Sequence, residues 1–115
     1  MKVLLSALTA AGLSAAVAAW TAPAPTTEYV VRIEKNFMPD LIEVKVGDSV
    51  NWRNFDADSH TVTADFRPAC PPDGSFDSGE IPSAGAYLFR FGKIGRYKYY
   101  CRLHKEMTGT VVVTQ

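Results

Sequence analysis

From residue 28 onward, apolar and polar residues alternate at a period of two, the spacing of strands with one buried face. Tyr29, Val31 and Ile33 alternate with Val30, Arg32 and Glu34. Leu41-Ile42-Glu43-Val44-Lys45-Val46 repeats the pattern until Gly47-Asp48 breaks it. Val50 and Trp52 share one face of the next run. His60-Thr61-Val62-Thr63 reads as a short strand opening, and Ala86 to Phe91 as a full strand. Arg96 to Cys101 is a strand with Tyr97, Tyr99 and Cys101 on one face, and Thr108 to Thr114 is a Val-rich closing strand. The intervals carry turn chemistry: Asn36 to Asp40 with Phe37 as a core plug, the polar stretch Asn54 to Ser59, and a tight turn at Gly92 to Gly95. Ala64 to Gly85 is irregular and rich in Pro and Gly, with one turn of helix expected near Pro68–Cys70. Many short strands separated by turn signals predict an all-β sandwich or barrel.

The first 27 residues follow other rules. Lys2, an apolar run from Val3 to Val17 and the small residues Ala16-Val17-Ala18-Ala19 read as a secretory signal over residues 1–19. Trp20-Thr21-Ala22 offers a second cleavage end, and an uncleaved anchor helix is the alternative. The many alanines make that run weakly apolar. No cysteine stands at the boundary, which argues against a lipid anchor. Residues 20–27 form a Pro/Ala/Thr linker, and residues 28–115 a single domain. A length of 115 residues suits one small domain and no more. Formal charge is zero, and removing a leader that carries Lys2 leaves 11 basic and 12 acidic residues. That balance argues against a polybasic nucleic-acid or membrane-surface protein.

The chemistry concentrates at Tyr99-Tyr100-Cys101-Arg102-Leu103-His104-Lys105-Glu106-Met107-Thr108-Gly109. A thiol, an imidazole and a thioether stand at i, i+3 and i+6, directly after a strand. Thiolate and thioether suit Cu(I), and imidazole suits both oxidation states. The only other histidine is His60. His60, Cys101, His104 and Met107 therefore make a trigonal set with a weak axial sulfur, the type of a blue-copper electron-transfer site. Two other readings compete. Cys101 could pair with Cys70, the only other cysteine, in an oxidising compartment. That disulfide would leave the spacing of His104 and Met107 a coincidence. Met107 could simply fill a gap in the core. With four protein ligands the site is closed, and no third histidine supplies an open catalytic position, so an enzyme is not expected.

These residues resemble the cupredoxin family of small blue copper proteins. The Cys-x2-His-x2-Met loop is similar to that of the amicyanins, whereas plastocyanin and pseudoazurin have two more residues between the histidine and the methionine. Phe37-x-Pro39, Val46 to Trp52, Asn54 to Val62 and Phe76-Asp77-Ser78-Gly79 are family-like as well, so the likeness covers roughly residues 28 to 114. Leu103 and Lys105 stand where amicyanins have prolines, and Cys70 has no place in the family pattern. The resemblance implies an eight-strand Greek-key β-sandwich. It implies that His60 is the buried imidazole and His104 the one whose edge reaches the surface. It also implies that the residue after the first histidine, here Thr61, ties the ligand loops together and donates its backbone N–H to the thiolate. Asn54 and Ser59 are further supporting candidates. Tyr100 stands where plastocyanin has a second electron path, or is a strand-surface aromatic.

Arg90, Lys93, Arg96, Lys98, Arg102 and Lys105 run without an acid before Glu106, which predicts a positive copper end and an acidic redox partner. The alternative is a solvated face paired with acids such as Asp56, Asp58 and Asp77. The expected function is a monomeric, periplasmic carrier of single electrons between redox proteins. A copper-handling protein of the same compartment is the second reading. An interaction domain without metal is the third.

Overall fold

The computed structural model describes residue 22 and residues 24–65 and 76–115. The expected leader, most of the linker's first half, the helical turn near Pro68–Cys70 and Cys70 itself lie outside the described residues. Among the described residues there are eight strands: β1 Glu28–Ile33, β2 Phe37–Met38, β3 Leu41–Lys45, β4 Ser49–Asn54, β5 Thr63–Ala64, β6 Ala86–Arg90, β7 Gly95–Cys101 and β8 His104–Thr114. They form two four-stranded sheets, ordered β2-β1-β4-β6 and β3-β8-β7-β5. The fold is an all-β sandwich.

The alternating pattern decides which face of each strand meets the other sheet. β1 and β4 run parallel with Val31 opposite Trp52, and both side chains are fully buried. β3 and β8 are also parallel, with Val44 opposite Val113. β7 and β8 are antiparallel, with Tyr97 opposite Val111. The inner faces meet around Trp52, whose ring packs edge-on against Tyr99 at 5.4 Å and lies 5.8 Å from Tyr87. Phe37 is buried as expected and packs edge-on against Tyr99 at 4.7 Å. Burying large aromatic groups in offset or edge-to-face pairs supplies much of a small domain's stability.

Three local expectations are corrected. Asn36 to Asp40 is not only a turn, since Phe37 and Met38 pair with β1 as a two-residue strand. The strand expected at His60 starts at Thr63 instead. His60 makes an isolated antiparallel bridge to Ile81, exchanging backbone bonds of 3.1 and 2.7 Å. The closing strand begins at His104 rather than Thr108. After Cys101 only Arg102 and Leu103 form the turn, and the ladder resumes with Cys101 opposite His104. A bulge between Tyr100 and Cys101 absorbs the register shift. Lys105 and Glu106 are both exposed, so the period of two is broken there and hides the strand's true start.

Candidate metal centre

Three segments meet at one end of the sandwich. His60 lies in the connection after β4, pinned at its backbone by Ile81. Cys101 ends β7, and His104 opens β8 after the two-residue turn. The Cys101 Sγ lies 3.8 Å from His60 Nδ1 and 3.6 Å from His104 Nδ1. All three ligand atoms fall within 4.8 Å of one another. With metal–sulfur and metal–nitrogen bonds of about 2.3 and 2.0 Å, as for zinc, ligands 120° apart would sit about 3.7 Å from each other. Both measured sulfur–nitrogen separations match that edge, so the donors present fit a trigonal thiolate–imidazole site. Cys101 is a free thiol and fully buried. Met107 is buried and lines the same pocket as His60 and His104.

Of the two imidazoles, His60 is buried and His104 is half-buried, so the latter alone reaches toward solvent. Leu103, just before it, is 48% exposed. The far nitrogen of His60, Nε2, is 2.9 Å from Asp56 Oδ2. An ionised carboxylate can only accept, so the proton sits on Nε2 and the Nδ1 lone pair points toward Cys101. Asp56 is in turn held by the Lys35 backbone N–H at 2.9 Å, while its own N–H donates to Asn54 Oδ1 at 2.9 Å. The His60 hydrogen bond, with help from the Lys35 N–H, holds the Asp56 carboxyl below the usual carboxylate range. Asn54 reaches across to the carbonyls of Asp58 and Ile81 at 2.8 and 3.0 Å and so braces the loop that carries His60.

Thr61 occupies the position the resemblance indicated. It is buried, and its backbone N–H donates to Cys101 Sγ at 3.3 Å. Its hydroxyl oxygen accepts from the Arg102 backbone N–H at 2.8 Å, joining the His60 loop to the turn between Cys101 and His104. Ser59 is half-buried beside His60. Tyr100 is half-buried and pairs across to Thr63. The sequence alone missed Asp56 as the partner of His60. The only available sign was an acid four residues ahead of a histidine, a spacing that means nothing outside a helix until the loop is folded.

Charge around the site is mixed. Arg102 is paired with Asp77 at 3.3 Å. The pocket beside His104 and Met107 is lined by Lys35, Asp56, Asp58 and Glu106, with three acids against one cation. Arg96 and Lys98 are exposed further down β7.

Fold and site together define a class. Residues 28–114 match the family model of copper binding proteins of the plastocyanin/azurin family, and the chain belongs to that family. Membership makes copper its metal and makes the chain an electron-transfer protein rather than an enzyme. Among curated proteins, amicyanin-alpha of Methylorubrum extorquens is 34% identical over 109 residues, covering 94% of this chain and 88% of the relative. Amicyanin of Paracoccus versutus is 30% identical over 93 residues, covering 80% and 69%. Among solved structures, a proline-to-glycine variant of amicyanin in its reduced Cu(I) form superposes with a TM-score of 0.66 at 32% identity, covering 84% of this chain and 88% of that one. A purple cupredoxin from Nitrosopumilus maritimus also gives a TM-score of 0.66, at 25% identity over 75% of this chain and 99% of that one.

Proposed function

We propose that this chain is a blue copper protein that carries one electron at a time between exported redox proteins, with copper held by His60, Cys101, His104 and Met107. The observation that carries the reading is the placement of one thiol sulfur 3.6 and 3.8 Å from the Nδ1 atoms of the only two histidines. Copper bound there supplies a one-electron couple whose two states both accept a thiolate and two imidazoles. The protein's part is to hold the donors still. Asp56 fixes the His60 tautomer and ring, as second-layer carboxylates do for metal-bound histidines. The Thr61 N–H holds the thiolate from the buried side. Met107, buried in the wall of the pocket it shares with His60 and His104, would be the weak fourth donor. Ligands at the ends of β7 and β8, joined by a two-residue turn, and on a loop braced by Asn54 have little room to rearrange when the oxidation state changes, which favours fast transfer.

His104 and the exposed Leu103 form the transfer face of this proposal. An apolar contact there brings a partner's redox group close to an imidazole edge. Exposed Lys105 beside His104 is the positive charge that an acidic partner would meet at that face, and Arg96 and Lys98, further along β7, add to the longer-range field. The leader over residues 1–19 would direct the domain of residues 28–115 to the periplasm, where it works as a monomer. Voltammetry of the copper-loaded domain tests the carrier reading. A fast, reversible one-electron wave with copper retained in both states is expected. Loss of copper on reduction, with transfer to a competing Cu(I) chelator, would instead assign the protein to copper handling.

A further inference from the structure

The polar contacts around Thr61 extend away from the metal donors and close into a ring. The Arg102 backbone N–H donates to Thr61 Oγ1 at 2.8 Å. Thr61 Oγ1 lies 3.0 Å from Thr63 Oγ1. The Thr63 hydroxyl reaches Asp77 Oδ1 at 3.2 Å. The Arg102 guanidinium then returns to the Asp77 carboxylate at 3.3 Å. Only one direction of donation satisfies every member. The ionised carboxylate only accepts, so Thr63 must give its proton to Asp77. Thr63 Oγ1 is then an acceptor, and the Thr61 hydroxyl must donate to it. That leaves the Thr61 lone pairs facing the Arg102 N–H. The charge on Asp77 thus sets the orientation of a hydroxyl two residues of relay away.

Asp77 is itself fixed. Gly79 N–H donates to its Oδ1 at 3.0 Å, and its backbone bridges Thr63. The next residue, Ser78, exchanges two bonds with Val62, backbone N–H to carbonyl at 2.9 Å and hydroxyl from the Val62 N–H at 2.8 Å. The segment carrying Asp77 is therefore tied to the stretch from Thr61 to Thr63 that leads into β5. Arg102 and Asp77 are 47% and 45% exposed, so their ion pair alone is worth little. A closed, one-way ring holds its geometry better than its weakest member.

The geometry points to Asp77 as a positioning residue of the copper centre: through Thr63 and Thr61 on one side and the Arg102 side chain on the other, it clamps the turn between Cys101 and His104 against Thr61 and keeps the Thr61 N–H on the thiolate. This rests on the metal-centre reading above, but the clamp belongs to the protein and exists without metal. An N–H donated to a thiolate draws electron density from sulfur and favours the reduced ion, so hydrogen bonds to sulfur tune the potential. Loosening the clamp should weaken that bond and shift the couple toward Cu(II).

Two measurements on Thr63→Val, Thr63→Ser and Asp77→Ala test this. In the metal-free protein, the Arg102 amide should exchange with solvent about tenfold faster in Thr63→Val and Asp77→Ala, as expected for the loss of one hydrogen bond. In the copper-loaded protein, the same two variants should shift the Cu(I)/Cu(II) equilibrium constant roughly threefold or more toward Cu(II), which lowers the potential. Thr63→Ser keeps the hydroxyl and should match the parent in both. Parent-like exchange and potential in Thr63→Val and Asp77→Ala would overturn the inference, even with a lower melting temperature. If Asp77→Ala loses its fold, Asp77→Asn keeps one acceptor oxygen and removes the charge, and the same two readouts decide. A parent protein that stays colourless with Cu(II) would overturn the metal-centre reading instead, and the metal-free exchange would still decide the clamp.

Discussion

His60 is held at both of its ring nitrogens, and this determines more of the site than its burial does. Nδ1 faces Cys101 Sγ and Nε2 faces Asp56, so the ring has one orientation and one tautomer. A negative charge behind an imidazole ligand makes it a stronger donor and stabilises the more highly charged metal state. Asp56→Asn keeps an acceptor for Nε2 but removes that charge. It should raise the reduction potential by on the order of 60 mV, a tenfold change in a one-electron equilibrium constant. Voltammetry of the two proteins side by side checks this, and an unchanged or lowered potential would remove Asp56 from its role. Gly109 acts through its missing side chain. It stands opposite Tyr99, and a Cβ built on it would overlap the Tyr99 ring. Gly109→Ala forces the ring out of its place between Phe37 and Trp52. Overpacking of this kind should cost about 1–3 kcal/mol, read by urea unfolding of the metal-free protein.

At the scale of elements, the ligand-bearing turn is shorter than it reads. The grouping of Cys101 with His104 was legible in the sequence, because thiol, imidazole and thioether at regular spacing after a strand are chemically rare together, and the two side chains do meet with His60 at one end of the sandwich. The strand faces were legible too, since period-two alternation maps directly onto burial in β1, β4 and β7. The start of β8 was not. It depends on the Cys101–His104 pairing across a turn, and pairing leaves no local signature where Lys105 and Glu106 both face solvent. Phe37–Met38 escaped for the same reason, because two residues cannot show a period. Asp56 and Asp77 lie in loops, and their roles arise only when distant segments meet. Cys101 remains the element's anchor. Cys101→Ser should keep the fold, since one small buried group replaces another, while replacing a thiolate donor with a far poorer hydroxyl; circular dichroism of the metal-free variant should match the parent.

Over the whole molecule, charge governs two behaviours. Asp48 is buried and accepts backbone N–H groups from Lys45 and Thr27, both at 2.9 Å, so it ties the turn before β4 to the segment before β1. Those bonds hold its carboxyl below the usual value of 3.8. A carboxyl depressed in the fold binds its proton more readily in the unfolded chain, so its contribution is complete above that value and fades as pH falls through the folded-state value. Asp56 acts in the same direction in the metal-free protein. Asp48→Asn should therefore be less stable at pH 7 and lose less of its stability between about pH 5 and 3 than the parent. Denaturant unfolding at several pH values checks both halves. The exposed cations of β7 and Lys105 predict that electron exchange with an acidic partner slows as salt rises from about 0.01 to 0.15 M, where the screening length drops from about 30 to 8 Å. A salt-independent rate in stopped flow would remove steering from the account. The central claim is convergence of four side chains on one copper ion, and titration of the metal-free protein with Cu(II), followed by visible and EPR spectroscopy, tests it most directly. An intense blue thiolate-to-copper band saturating at one ion per chain in the parent, and absent in Cys101→Ser, is the predicted result. A colourless parent, or a blue Cys101→Ser, would contradict it.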